Sequence, residues 1–226
     1  GISSLYGYAQ IFKKNVQASG KIPQISVIVG PSAGGAVYSP ALTDFIFQVK
    51  DIGQLYVTGP AVVKTVTGED VSFEELGGIE AHGTLSGVSH QICEDEQQAF
   101  DEVRYLLSFL PQSAEQKPPV FITEDDTEKS VDILDSFIPE NRNQPYDMND
   151  VINNIVDDGE QYPIHANYAL NIITTLARIN GNTIGIIGNQ PLEVAGVLDI
   201  DASEKAARFV RFCDAFNIPL LTLVDV

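Results

Sequence analysis

Basic side chains are scarce in this 226-residue sequence: 13 Lys and Arg stand against 31 Asp and Glu, a formal net charge of −18. That balance argues against nucleic acid or an anionic membrane as partner, because both recruit clustered cations. A phosphate ligand would have to be held by a local basic patch or by backbone donors. The acidic excess itself fits a solvated surface of the kind tuned to a salty setting. Cysteine is limited to Cys93 and Cys213, far apart and without metal-ligand spacing. Both fall in helical patterns and are expected to be reduced thiols in a reducing compartment. No apolar run approaches membrane-spanning length; Ile184–Ile187 and Pro219–Val224 are among the longest. The chain opens at Gly1 with neither initiator methionine nor basic leader and closes on LLTLVDV, so an internal fragment of a longer protein is expected.

What is present is a core-forming composition, 44% hydrophobic, enough for one large or two small globular domains. The stretch that organises the chain is Gln24–Asp44, QISVIVGPSAGGAVYSPALTD. A β-branched run turns at Gly30-Pro31 and reaches the pair Gly34-Gly35, after which small residues form a helix that Pro40 cuts short. Strand, turn and glycines at a helix start aim backbone N–H groups outward, toward negative charge. No acidic or basic side chain charged at neutral pH lies between Gln24 and Leu42, so chemistry here would belong to the backbone.

Helical spacing of Leu5, Tyr8, Ala9, Phe12 and Val16 predicts a helix over 2–18. Strands are expected at 45–49 and 54–57, a helix from Pro60 through Val66, and a capped turn at Ser72-Phe-Glu-Glu75 stopped by Gly77-Gly78. Residues 82–90 form a Gly/Ser/Thr-rich loop. A helix over 94–110 places Phe100, Val103, Leu107 and Leu110 on one apolar face. Composition then shifts to Pro, Asp, Glu, Asn and Gln, which marks 111–145 as a linker between domains 1–110 and 146–226. Beyond it, a helix is expected over 148–156 and a hairpin around Asn180-Gly181-Asn182. A short strand over 196–200, a helix over 202–216 and a strand over 219–226 follow. Strands alternating with helices give an α/β architecture. Helix, Ile-Pro and apolar strand recur in that order at 2–29 and 202–226, a loose internal echo.

Several of these segments carry a family resemblance. SLYGYAQIFKKNVQASGKIPQISVIVGPSAGGAVYSPALTDF, VTGPAVVKTVTGEDVSFEELGG, IPENRNQPYDMNDVI and AGVLDIDASEKAARFVRFCDAFNIPLLTLVDV resemble the carboxyltransferase (β-type) subunit of biotin-dependent acyl-CoA carboxylases. Methylmalonyl-CoA decarboxylase and transcarboxylase subunits share the pattern. The resemblance implies two tandem crotonase-like domains, each a spiral of β-β-α units. Residues 1–110 would be the later part of the acyl-CoA domain and 146–226 the early part of the biotin-side domain. It further implies acyl-CoA as substrate, propionyl-CoA first, and biotin delivered by a carboxyl carrier or biotin carboxylase subunit. No metal is implied in this domain, and a homohexamer is implied for the full-length protein. Location would be the cytoplasm, or the mitochondrial matrix in a eukaryote.

Carboxyl transfer to an acyl-CoA passes through two oxyanions, the thioester enolate and the biotin ureido oxygen, and preorganised N–H donors stabilise such species. On the resemblance Gly34 and Gly35 form one oxyanion hole with Ala36 beside them, and a second hole lies beyond Val226. The isolated chain is accordingly expected to be inactive. A bare glycine pair is more often a turn or packing device. Lys64 could reach a CoA phosphate or simply be solvated. Gly77 and Gly78 cap a helix and, on the resemblance, lie near the acyl-CoA side. Asn189 and Gln190 belong to a turn that would line the biotin side. His82, His90 and His165 lack a matching nucleophile or third ligand and are expected to be loop or surface residues. The competing classes are a decarboxylase running the reverse half-reaction, a crotonase-type hydratase and a non-catalytic assembly module. A hydratase would need acids near the glycines, and the nearest one downstream, Asp44, follows the helix.

Overall fold

The computed structural model describes residues 1–126, 131–141 and 144–225. Parts of the expected linker (127–130 and 142–143) and the final residue of the expected 219–226 strand lie outside the described residues. The chain divides into two compact units, Gly1–Tyr105 and Leu106–Val226.

The first unit begins with α1 (Ile2–Ala18), which forms where its spacing places it although none of its residues is buried. Strand β1 (Ile25–Ile28) leads directly into β2 (Pro31–Ala33), a 3₁₀ turn over Gly34–Val37 and the short α2 (Tyr38–Ala41). The pattern then repeats with β3 (Phe45–Val49), β4 (Gln54–Tyr56) and α3 (Pro60–Thr67). After α4 (Phe73–Gly77) comes β5 (Gln91–Cys93), and α5 (Glu96–Leu107) runs across the division between the units. Strands β1, β3 and β5 pair in that order in one sheet, and β2 pairs with β4 in another. Every one of these pairings is parallel, with Ile25 beside Phe45 and Pro31 beside Gln54. Each turn of the chain therefore lays one strand on each sheet before a helical segment carries it to the next level.

Strand β3 is buried along its whole length, as an inner strand of a parallel sheet must be. Its polar member, Gln48, is fully covered and fully used. Nε2 donates to Gly53 O (2.8 Å) and Gly77 O (3.0 Å), and Oε1 accepts from Ser89 Oγ. The capping box at Ser72 forms as expected: Ser72 Oγ accepts from Glu75 N, and the Glu75 carboxylate accepts from Ser72 N. Gly77 closes that helix for a steric reason, since a Cβ there would sit 2.2 Å from Leu55 O.

In the second unit the segment after α5 packs on the hairpin through Phe121 N, which donates to Gly181 O (2.9 Å). The Arg178 guanidinium stacks 4.0 Å from the rings of Phe109 and Phe121. Then follow α6 (Met148–Ile155), β6 (Gln161–Pro163), β7 (Ile172–Ile179), β8 (Asn182–Asn189), α7 (Ile200–Ala215) and β9 (Leu220–Leu223). Their sheet has the order β6-β7-β8-β9, antiparallel until the parallel β8–β9 step that α7 bridges. Asn180 and Gly181 both hold positive φ (51° and 71°), as a two-residue hairpin turn requires. Asp157 accepts from both turn N–H groups. Met148, Ile152, Val156, Ile173, Ala177 and Ile186 form the core.

Four expectations fail locally. Cys93 lies on a strand, not a helix; Asp95 Oδ1 accepts Gln98 N and restarts the helix only after β5 ends. Within 82–90, the loop begins with a π-helical turn over Glu80–Leu85. On α5 the buried residues are Ala99 and Leu106, while Phe100 and Leu107 are exposed. Residues 196–200 are not a strand. Val194, Ala195 and Gly196 all take positive φ, which breaks extended backbone, and Asp199 caps α7 by accepting Ala202 N (2.8 Å).

Two substitutions in the full-length protein test this packing by chemical denaturation. Gly77→Ala should lower stability by about 1–3 kcal/mol, because a backbone carbonyl cannot yield as a side chain can. Ser72→Ala should cost ~1 kcal/mol through the lost cap.

Candidate functional site

The glycine pair sits where the chain leaves β2. Ala33 is still extended and paired beside Tyr56, and Gly34 then turns to φ +58° to start the 3₁₀ segment. A left-handed residue at this step costs an L-amino acid roughly 1–2 kcal/mol, so Gly34 is explained by its backbone alone. Gly35 is not. Its φ is ordinary, and a Cβ there would meet only the Tyr8 ring, at a normal contact distance of 3.6 Å. Nothing in the described packing demands glycine at 35, and its outer side is exposed.

The turn opens a helical segment. The first N–H groups of a helical segment have no partner inside it, and no side chain caps this one. Side chains of α1 and α2 pack around the turn. Tyr8 stacks on Phe12, which meets Tyr38 edge-on. Asn15 Oδ1 accepts Ser39 Oγ (2.9 Å), and Asn15 Nδ2 donates to Gln24 Oε1 (3.0 Å). Asp44, the nearest downstream acid, accepts Gln24 N (2.8 Å) at the far end of the turn. Backbone N–H donors at such a turn are suited to a developing oxyanion.

The other expected site residues are spread over both units. Lys64 lies on α3 with its ammonium 2.8 Å from Asp70 Oδ2, both well exposed. Gly77 is buried against β4, and Gly78 caps α4 in extended conformation. Asn189 and Gln190 are buried in the second unit and spend their amides internally. Asn189 Nδ2 donates to Gly196 O, while Gln190 bonds Met148 N and Asp147 Oδ1. Burial opposes ionisation of Asp147, but hydrogen bonds from Gln190 and Asn149 outweigh it and hold the carboxyl below its usual range.

His90 and His165 lie in irregular segments as expected, but they are not surface rings. His90 is buried, its Nδ1 accepting Ile46 N (3.1 Å), and His165 is buried as well. His82 Nε2 bonds Leu55 O. Burial pushes the Cys93 and Cys213 thiols up to about 11 and about 12, so neither is a nucleophile at neutral pH. Among the described residues no cluster of three His, Cys, Asp or Glu side chains could hold a metal. No described helix is long and apolar enough to cross a membrane.

The carboxyl transferase domain family matches residues 1–226. The chain belongs to that family. As a family member it is 55% identical over its whole length to the methylmalonyl-CoA decarboxylase α subunit of Veillonella parvula, covering 44% of that protein. It is 54% identical to the human mitochondrial propionyl-CoA carboxylase β chain, covering 42% of it. It also superposes on the crystal structure of transcarboxylase 12S, described as a hexamer with methylmalonyl-CoA and methylmalonic acid bound. There the TM-score is 0.97, with 49% identity, over all of this chain and 44% of that one. The chain thus spans less than half the length of these relatives. Its fold is crotonase-like α/β, and the alternation of β1, β3, β5 with β2, β4 is the β-β-α spiral itself.

Lys205 escaped the sequence analysis. The signal was there: Ala202, Lys205, Phe209 and Cys213 share the buried face of α7, so a charged residue occupies a core position. In the full-length protein, Gly34→Ala should destabilise by about 1 kcal/mol or more. Gly35→Ala should stay within ~0.5 kcal/mol of the parent in the same melt.

Proposed function

We propose that the protein to which this chain belongs transfers a carboxyl group to the α-carbon of a short-chain acyl-CoA, propionyl-CoA first, and that Gly34 and Gly35 supply the acyl-side oxyanion hole. The observation that carries the reading is Gly35: neither its backbone conformation nor its packing requires glycine, yet it stands exposed at an uncapped turn of N–H donors. A side chain there would keep a thioester oxygen from reaching those donors. Carboxybiotin, when bound, would supply the carboxyl group from its ureido nitrogen, and the ureido anion left behind would take up the α-carbon proton. The donors at Gly34 and Gly35 hold the thioester oxygen as negative charge builds on it, and Ala36 keeps the rim of the turn small. Tyr8 and Asn15 keep the turn in place while the charge passes. In the second unit, Asn189 and Gln190 shape the biotin-side wall, their amides fixing the loop after β8 and the start of α6.

Lys64 is placed to exchange its exposed partner Asp70 for a CoA phosphate, since exposed ion pairs of this kind are worth only about 0–1 kcal/mol. A biotin-carrying subunit and a homohexamer complete the proposed assembly. Similarity to the Veillonella decarboxylase subunit, level with that to the human carboxylase chain, supports a second reading, in which the same site works in the decarboxylating direction. An assay of the full-length protein with its biotin carrier and acetyl-, propionyl- or methylmalonyl-CoA fixes both direction and substrate.

The test of the hole is Gly35→Ala in that assay. Turnover should fall about 10²–10³-fold, the range for loss of an oxyanion contact, with the melting midpoint unchanged. Full turnover in the variant would remove Gly35 from the chemistry.

A further inference from the structure

The second unit contains a cavity of about 280 Å³ whose walls include Asp147, Ile164, Leu170, Ile172, Gln190 and Lys205. Lys205 is 4% exposed. Its Nζ donates to Tyr168 O (2.7 Å) and Ala169 O (3.2 Å), and none of the ion pairs among the described residues includes it. An ammonium carries three donors, so two carbonyls leave one to spare. Carbonyl dipoles solvate the charge but do not neutralise it, and a buried cation without a counter-charge is costly. Burial alone brings the Lys205 ammonium down to about 7, with no carboxylate holding it up.

The remaining chemistry of the cavity narrows what can supply the missing charge. Ile164, Leu170 and Ile172 make much of the wall apolar. Asp147 and Glu193 also line it, so a second negative charge on the ligand would be repelled. Asp147 Oδ1 is already occupied by donors from Asn149 and Gln190. At about 30 Å³ per water, the volume corresponds to roughly nine waters, which suits a ligand of about nine non-hydrogen atoms or fewer. We propose that this cavity binds a small aliphatic monocarboxylate, its carboxylate paired with Lys205 Nζ and its chain against Ile164, Leu170 and Ile172. Such a site is built from residues of the second unit alone, and its test reads binding rather than turnover.

The experiment is calorimetric titration of the full-length protein below pH 7, where Lys205 is charged, with hexanoate, hexanamide and glutarate. Hexanoate should bind saturably, and the uncharged amide and the dianion at least about tenfold more weakly, because only a monoanion forms the charge-assisted bond without repulsion. Lys205→Met should abolish hexanoate binding. Should that variant fail to fold, Leu170→Trp, at an exposed wall position, should weaken binding by narrowing the cavity. Absence of hexanoate binding, equal binding of hexanamide, or unchanged binding in a folded variant at either position would overturn the proposal.

Discussion

The hydrogen bonds of Gln48 are the constraint on which the first unit depends. A carboxamide at the centre of a wholly buried strand is tolerated only when every polar atom is used, and here it is. Its partners are the turn before β4, the end of α4 and the segment before β5. One side chain thus pins three successive passes of the spiral to the inner strand. Parallel pairing demands long crossovers, and long crossovers leave register weakly specified. A buried polar anchor with fixed partners removes that freedom.

Three glycines on this frame show why a glycine cannot be interpreted from its identity alone. Gly77 exists because Leu55 O lies where its Cβ would go. Gly34 exists because the exit from β2 needs a left-handed residue. Gly35 answers to neither demand, which is why the proposed function turns on it. That elimination gives the oxyanion reading its physical content beyond family membership. Asp44, the nearest downstream acid, is committed to the backbone of Gln24.

The second unit is built on a different solution, an antiparallel hairpin extended by one parallel strand. Its turn is held by Asp157 and its outer side by the Arg178 guanidinium between two rings. Lys205 departs from this economy. The Asp147 and Asp157 carboxylates each accept several hydrogen bonds, whereas this ammonium is buried on carbonyls beside open volume. Polar groups retained at such expense are where binding sites are to be sought.

The amino-acid sequence by itself determined the α/β class, α1, the strand–turn–glycine stretch, the capping box, the hairpin and α7, because each rests on local periodicity or turn chemistry. Asn180-Gly181 is legible for that reason: its left-handed turn is intrinsic to those residues. The short strands β5 and β6 were not legible, since three residues carry no periodicity and are strands only by virtue of what pairs with them. Nor could the chain alone show which face of α5 is covered or that Val194–Gly196 bends away from extended backbone. That neither packing nor φ demands glycine at 35, and that Lys205 is buried beside a cavity, were likewise decided only in tertiary structure. Both depend on which atoms stand across from them, and those atoms come from residues distant in sequence.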